Sequence, residues 1–243
     1  MSGEHVISSS IFKAGCSCPI VIEGVQRIRE GAPTRGAEKS NILCRHHNSL
    51  LSPLDEAVGR IAKFQAKAND KTFRGSIDIE GELLERWLLK TVINTAAAGW
   101  AAPVKWLPSS SITRVIFGLE PVSDRFGLYS VDGIDPNHRP SGGVTFTPIH
   151  MNMGRGKILA GAYVTVHGMP LLASLHAELP ELLEAGHAPQ LTTRFSPDGL
   201  RHLYHPGTIV MSRKEGDPVF IGLSWGGLLR YADGTTVPFP RPA

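Results

Sequence analysis

The chemistry-bearing side chains of this chain gather in one stretch, Ser40 to Asp55, which holds Cys44, His46, His47, Asn48 and Asp55 within sixteen positions. In Cys44-x-x-His47 the two-residue gap lets a thiolate and an imidazole reach one tetrahedral ion from a single turn. That is half of a zinc site, and two further ligands must come from elsewhere. An amide oxygen such as that of Asn48 can hold a divalent cation, and an imidazole can take a proton from water. A second carboxylate–imidazole pair, Glu4-His5, stands near the start of the chain. Cys16-x-Cys18 is tighter than the usual ligand spacing and reads as two small semi-buried thiols. Lower in rank is Arg201-His202-Leu203-Tyr204-His205, which could bind an anion or a metal but reads as a solvated face, while His138 and His150 flank glycine-rich turns with no partner visible in the sequence. Gly142-Gly143 and Gly226-Gly227 lack the lysine and hydroxyl of a phosphate loop, and Ser224-Trp225-Gly226 lacks the flanking glycine of a nucleophile elbow.

Two helices are well placed to carry these groups. Ser52 caps, Pro53 suits a first turn, and Asp55-Glu56 favour the positive end of the dipole. Val58, Ile61, Ala62 and Phe64 then recur at helical spacing, predicting a helix from Ser52 to about Lys67. Glu82 to Ala98 is the strongest helix of the chain. Leu83, Leu84, Trp87, Leu88, Leu89, Val92 and Ile93 cover most of its circumference, which predicts burial on several sides. Glu85, Arg86 and Lys90 read as its one polar edge, solvated or ion-paired. Phe73 to Ile79 alternates as a strand. Beyond Trp100 to Pro108, a loop, short strands are predicted at 112–119, 126–131, 143–149, 158–166, 171–175, 191–195, 208–211 and 219–223. Turn signals such as Asp132-Gly133 and His167-Gly168 separate them, which argues for antiparallel pairing. Leu179 to Ala185 suits a short helix, and the tail VPFPRPA reads as extended or disordered.

Composition bounds the answer. The chain of 243 residues can bury a sizeable core, and its 42% hydrophobic and 19% charged content suits a globular protein. A net charge of +3 is compatible with nucleic acid without pointing to it. Three cysteines are too few and of the wrong parity for a disulfide framework, so a reducing, cytoplasmic setting is expected. No apolar run reaches the length of about 18 residues needed to span a bilayer, and no secretory leader pattern opens the chain.

Glu4-His5-Val6-Ile7 followed by Asn41-Ile42-Leu43-Cys44-x-x-His47-Asn48 resembles the HNH, or ββα-metal, nuclease motif. LCRHHNSLLSPLDEA and LLERWLLKT resemble signatures of bacterial proteins with an HNH-like amino end. The resemblance implies a nuclease hydrolysing phosphodiester bonds of DNA or RNA with Mg or Mn. His5 would be the general base and Asn41 would orient it. Glu4 and Asn48 would hold the catalytic metal, and Cys44 with His47 would supply half of a structural zinc. The chain departs from the pattern in three places. His47 stands where the family has a cysteine, Asn48 where it has a histidine, and the C-x-x-C that precedes the acidic-His pair is absent. Cys16 and Cys18 lie on the other side of His5 in sequence.

The fold expectation is therefore α+β: an HNH-like metal-binding region with its following helix over 1–68, then an α+β domain over 69–243 with its central helix at 82–98 and an antiparallel sheet. The alternative function is a non-enzymatic α+β binding or interaction protein that keeps the motif as a structural remnant, with a protein partner the sequence does not identify.

Overall fold

A computed structural model describes residues 4–12, 21–22, 39–40, 44–68, 70–99, 109–122, 125–132, 144–153, 156–185, 201–211, 218–226, 228–230 and 236–238. In chain order the elements are β1 (Glu4–His5), α1 (Ser9–Phe12), β2 (Val21–Ile22), β3 (Lys39–Ser40), α2 (Arg45–Leu50), α3 (Ser52–Ala68), β4 (Ser76–Glu80), α4 (Gly81–Ala97) and α5 (Ser110–Ile116). There follow β5 (Gly127–Asp132), β6 (Val144–Met153), β7 (Gly156–Val166), β8 (Met169–Ser174), α6 (Leu179–Glu184), β9 (Arg201–Tyr204), β10 (Thr208–Met211), β11 (Val219–Trp225), β12 (Leu228–Arg230) and β13 (Thr236–Pro238).

The strands make an α+β fold rich in antiparallel pairs. A six-stranded sheet runs β2-β6-β7-β8-β5-β9 and is antiparallel except for β2 beside β6. A second sheet runs β10-β11-β12-β13, with β4 joining β11 in parallel. Strand β8 is buried at every position, MPLLAS, because both faces of its sheet are covered. One face meets the main core. The other meets a smaller cluster of Tyr129, Ile149, Tyr163 and Leu172 closed by Leu179 and Leu183 of α6.

Helix α4 is the hub. Leu84, Trp87, Leu88, Leu89 and Val92 are fully enclosed, as the breadth of its apolar surface predicts. Its buried hydroxyls bond within the helix, Thr91 Oγ1 to the Trp87 carbonyl at 2.9 Å and Thr95 Oγ1 to the Thr91 carbonyl at 2.6 Å. One continuous apolar core draws on residues from Val6 to Ala68 and from Ile79 to Leu223. Helix α4 begins at Gly81, where the Trp225 ring leaves no room for a side chain. A Cβ on Gly81 would lie 2.6 Å from that ring.

The predicted strand at 112–119 is instead helix α5. Ser109 caps it, its Oγ accepting the Ile112 N–H at 3.3 Å. Ile112, Val115 and Ile116 suit either element over so short a run, and the cap decides between them. The strand expected at 191–195 and the loop from Trp100 to Pro108 lie outside the described residues.

Candidate functional site

The amino-terminal segment is fastened at several points. Strand β1 pairs antiparallel with β3, Glu4 opposite Ser40 and His5 opposite Lys39. Directly after it, Val6 and Ile7 enter the core, and Ile11 of α1 follows them. Helix α1 lies so close to α3 that a Cβ on Gly59 would sit 3.1 Å from the Ser10 Cβ.

A polar network then ties this segment to both long helices. Trp87 Nε1 donates to Ser8 Oγ at 2.8 Å, and Ser8 donates to the Asp55 carboxylate. Ser10 Oγ donates to the Asp55 carbonyl at 2.7 Å. Lys90 Nζ reaches both carboxylate oxygens of Asp55, at 3.0 and 3.2 Å. Lys90 is 3% exposed, so of the solvated and ion-paired edges expected of α4 the ion-paired one holds at this position. A buried ammonium is tolerated only with a partner, and Asp55 in the first turn of α3 supplies it.

Helix α2 carries the turn chemistry. Cys44 is its N-cap in extended conformation, and the Asn48 N–H bonds the Cys44 carbonyl at 3.0 Å. Cys44 Sγ and His47 Nδ1 stand 3.4 Å apart. Zinc bonds of about 2.3 Å to sulfur and about 2.05 Å to nitrogen, set tetrahedrally, leave the two donors about 3.6 Å apart. The pair therefore fits one edge of a zinc tetrahedron. The His47 ring also meets the Phe117 ring edge-on at 5.4 Å.

The predicted site residues are thus distributed as follows. Cys44 and His47 are brought together, and Asn48 lies one residue further along α2, half-buried. The backbone of Glu4 and His5 is joined to β3, four residues before Cys44. Asn41 lies outside the described residues, as do Cys16 and Cys18. Among the described residues no group of three or more His, Cys, Asp or Glu side chains could hold a metal ion. A glutamate carboxylate with an asparagine amide oxygen is a hard oxygen donor set, suited to Mg or Mn rather than to zinc.

A second polar cluster joins residues that the sequence places apart. Glu85, expected on a solvated or ion-paired edge, is 1% exposed. Its Oε1 accepts the Leu128 N–H at 2.8 Å and bonds His205 Nε2 at 2.9 Å, while Oε2 is buried with no partner among the described residues. Gly127 has φ +118, and a Cβ there would run into Glu85 Oε1. His205 itself sits at φ 43 in the turn between β9 and β10. Its ring is stacked between Tyr204 and Trp225, each centroid 3.8 Å away. His202, three residues earlier, is also no surface residue. Tyr163 Oη lies 2.6 Å from His202 Nε2, and His202 Nδ1 lies 3.5 Å from Glu184, too far for a good hydrogen bond. Burial pushes the His202 imidazole below its ordinary pKa against the opposing pull of Glu184, and burial pushes the Tyr163 phenol up. Burial likewise raises the Tyr129 phenol to about 12, Arg125 opposing it. The run His205-Pro206-Gly207 signals a turn, but nothing local signals a partner 120 residues away.

Set against models of protein families, curated proteins and solved structures, the chain matches none. Among the described residues, no helix is long and apolar enough to cross a membrane.

Proposed function

We propose that this chain is a metal-dependent phosphodiesterase of the ββα-metal type acting on DNA or RNA. The observation that carries the reading is the backbone order at the amino end. Strand β1, with Glu4-His5, pairs with β3, and helix α2 opens four residues later on the Cys44 cap. In this reading His5 takes the proton from the attacking water, and Asn41 orients it. Glu4 and Asn48 hold the divalent cation, Mg or Mn, on oxygen donors. When bound, that cation polarises the scissile phosphate and stabilises charge on the leaving oxygen. Cys44 and His47 stiffen the turn, as half of a zinc site. The Ser8–Asp55–Lys90 network fastens the chain just after β1 to the helices, so the base does not stand on a frayed end.

The test is nicking of supercoiled plasmid with added Mg or Mn, parent against His5→Ala. The reading expects metal-dependent nicking that His5→Ala lowers by about a hundredfold or more. Equal activity in the two proteins removes His5 as the base.

A second reading, a non-enzymatic interaction protein, draws on the same turn. The Cys44–His47 contact and the Phe117 edge complete a cap for α2 without any ion. Metal analysis of the purified protein separates the two: bound zinc, or stabilisation by added metal, favours the enzyme.

A further inference from the structure

The buried face of α3 is made by Leu54, Ala57, Val58, Ile61, Ala62 and Gln65. Its opposite face carries Glu56, Arg60, Lys63 and Lys67, all exposed. At 3.6 residues per turn these four fall within about 60° of the circumference, and Arg60 to Lys67 spans about 10.5 Å along the axis. The stripe is short of counter-charge. Its one acid, Glu56, makes no ion pair with Arg60 among the described residues, and Asp55 of the first turn is engaged by Lys90. Arg60 Nη2 rests on the Asp78 carbonyl at 3.1 Å, which holds the guanidinium without neutralising it. Among the described residues, none of Arg60, Lys63 and Lys67 has a carboxylate partner. Arg45 of α2 is exposed before the helix, and Lys71 and Arg74 after it. From 44 to 78 the exposed cations outnumber the exposed carboxylates, Glu56, Asp70 and Asp78, by three. That surplus equals the +3 of the entire chain.

We infer that the Arg60–Lys63–Lys67 face of α3 is a docking track for a nucleic-acid phosphate backbone. The charge asymmetry calls for a polyanion, and a straight row of cations on a rigid helix suits an extended one. Helix α3 starts two residues after α2 ends, so a backbone lying along it runs toward the Cys44–Asn48 turn. The choice of nucleic acid over an acidic polypeptide rests on the phosphodiesterase reading above. Long, flexible lysines tolerate any base sequence, so the track grips phosphate and leaves sequence unread.

Fluorescence anisotropy of the full chain with a labelled duplex tests this, in EDTA so that no cleavage intervenes. Parent, Lys157→Glu at an exposed β7 position, and the double variant Lys63→Glu/Lys67→Glu are titrated from about 50 to about 200 mM salt. Both lysines of the double variant are exposed, and a circular dichroism melt checks that it folds like the parent. Expected is a loss of about tenfold or more in affinity for the double variant, with the salt slope reduced by about 2, while Lys157→Glu stays within about threefold of the parent. Unchanged affinity in the double variant overturns the track, as does absence of binding by the parent. Displacement of the duplex by polyglutamate at equal charge concentration overturns it as well, because an acidic polypeptide then fits equally. Binding without nicking leaves the track standing and removes the phosphodiesterase reading. Nicking with unaltered binding in the double variant does the reverse.

Discussion

Two histidines in this molecule are held in opposite ways. His47 sits in α2, a helix with no buried residue, and its ring contacts among the described residues are with Cys44, His46 and the edge of Phe117. His205 is gripped by a buried carboxylate, two stacked rings and a backbone bond from its own N–H to the Leu128 carbonyl at 3.3 Å. The junction around Glu85 joins α4, β5 and the turn between β9 and β10, so the fold itself demands its geometry. The α2 turn has no such demand on it. Its donors lie near the spacing a zinc ion would impose and close enough to satisfy one another without it. Side chains rigid without a ligand and side chains completed by one call for different experiments.

The largest effect expected is at the junction. Glu85→Ala strands the Leu128 N–H and His205 and should cost about 3 kcal/mol of stability in urea titrations. A cost below about 1 kcal/mol would mean that the junction is looser than its contacts imply. Next comes Lys90→Met, which leaves the half-buried Asp55 without its cation and should cost about 2 kcal/mol. It should also make the segment before Ser8 easier to cleave by protease. Native-like resistance would show that β1 is fastened by something other than Asp55.

A smaller effect follows from acid. Burial lowers the pKa of His202 and of His167, the latter against a hydrogen bond that His167 gives to the Ile11 backbone carbonyl. The unfolded chain therefore takes up protons first. The contribution of these residues to stability is complete above the ordinary histidine pKa of about 6.5 and is lost as pH falls below it. Urea midpoints measured from neutral to mildly acid pH should decline, and His202→Gln should flatten the decline. A midpoint that rises on acidification contradicts the burial of these rings. The smallest effect is Cys44→Ser in metal-free protein, within about 0.5 kcal/mol of the parent, because the residue is exposed. A larger loss without metal would place the α2 turn in the same class as the junction.

The same contrast explains what the sequence discloses. Helices α3 and α4 are legible because their apolar residues repeat every three or four positions, and β10 is legible at its observed bounds. At Glu85 and Lys90 the sequence leaves a solvated edge and an ion-paired one both open, because a polar residue on a helix looks exposed unless its partner is known. Those partners lie 120 and 35 residues away. The parallel pairing of β4 with β11 is likewise long-range, Ile77 lying beside Ile221. The candidate site shows the converse. Its residue types and spacing are fully visible in Glu4-His5 and Cys44 to Asn48, and the β1–β3 pairing is compatible with using them together. The fastening of β1 through Ser8, Trp87 and Lys90 has no local signature.

The central claim is that the front of the chain and the α2 turn share one cation. Titration of Mn into the parent, Glu4→Ala and Asn48→Ala, read by electron paramagnetic resonance, addresses it most directly. The account predicts one tight Mn site in the parent and its loss in each variant, although the two positions lie at opposite ends of the amino-terminal region. Full Mn occupancy in either variant would contradict it.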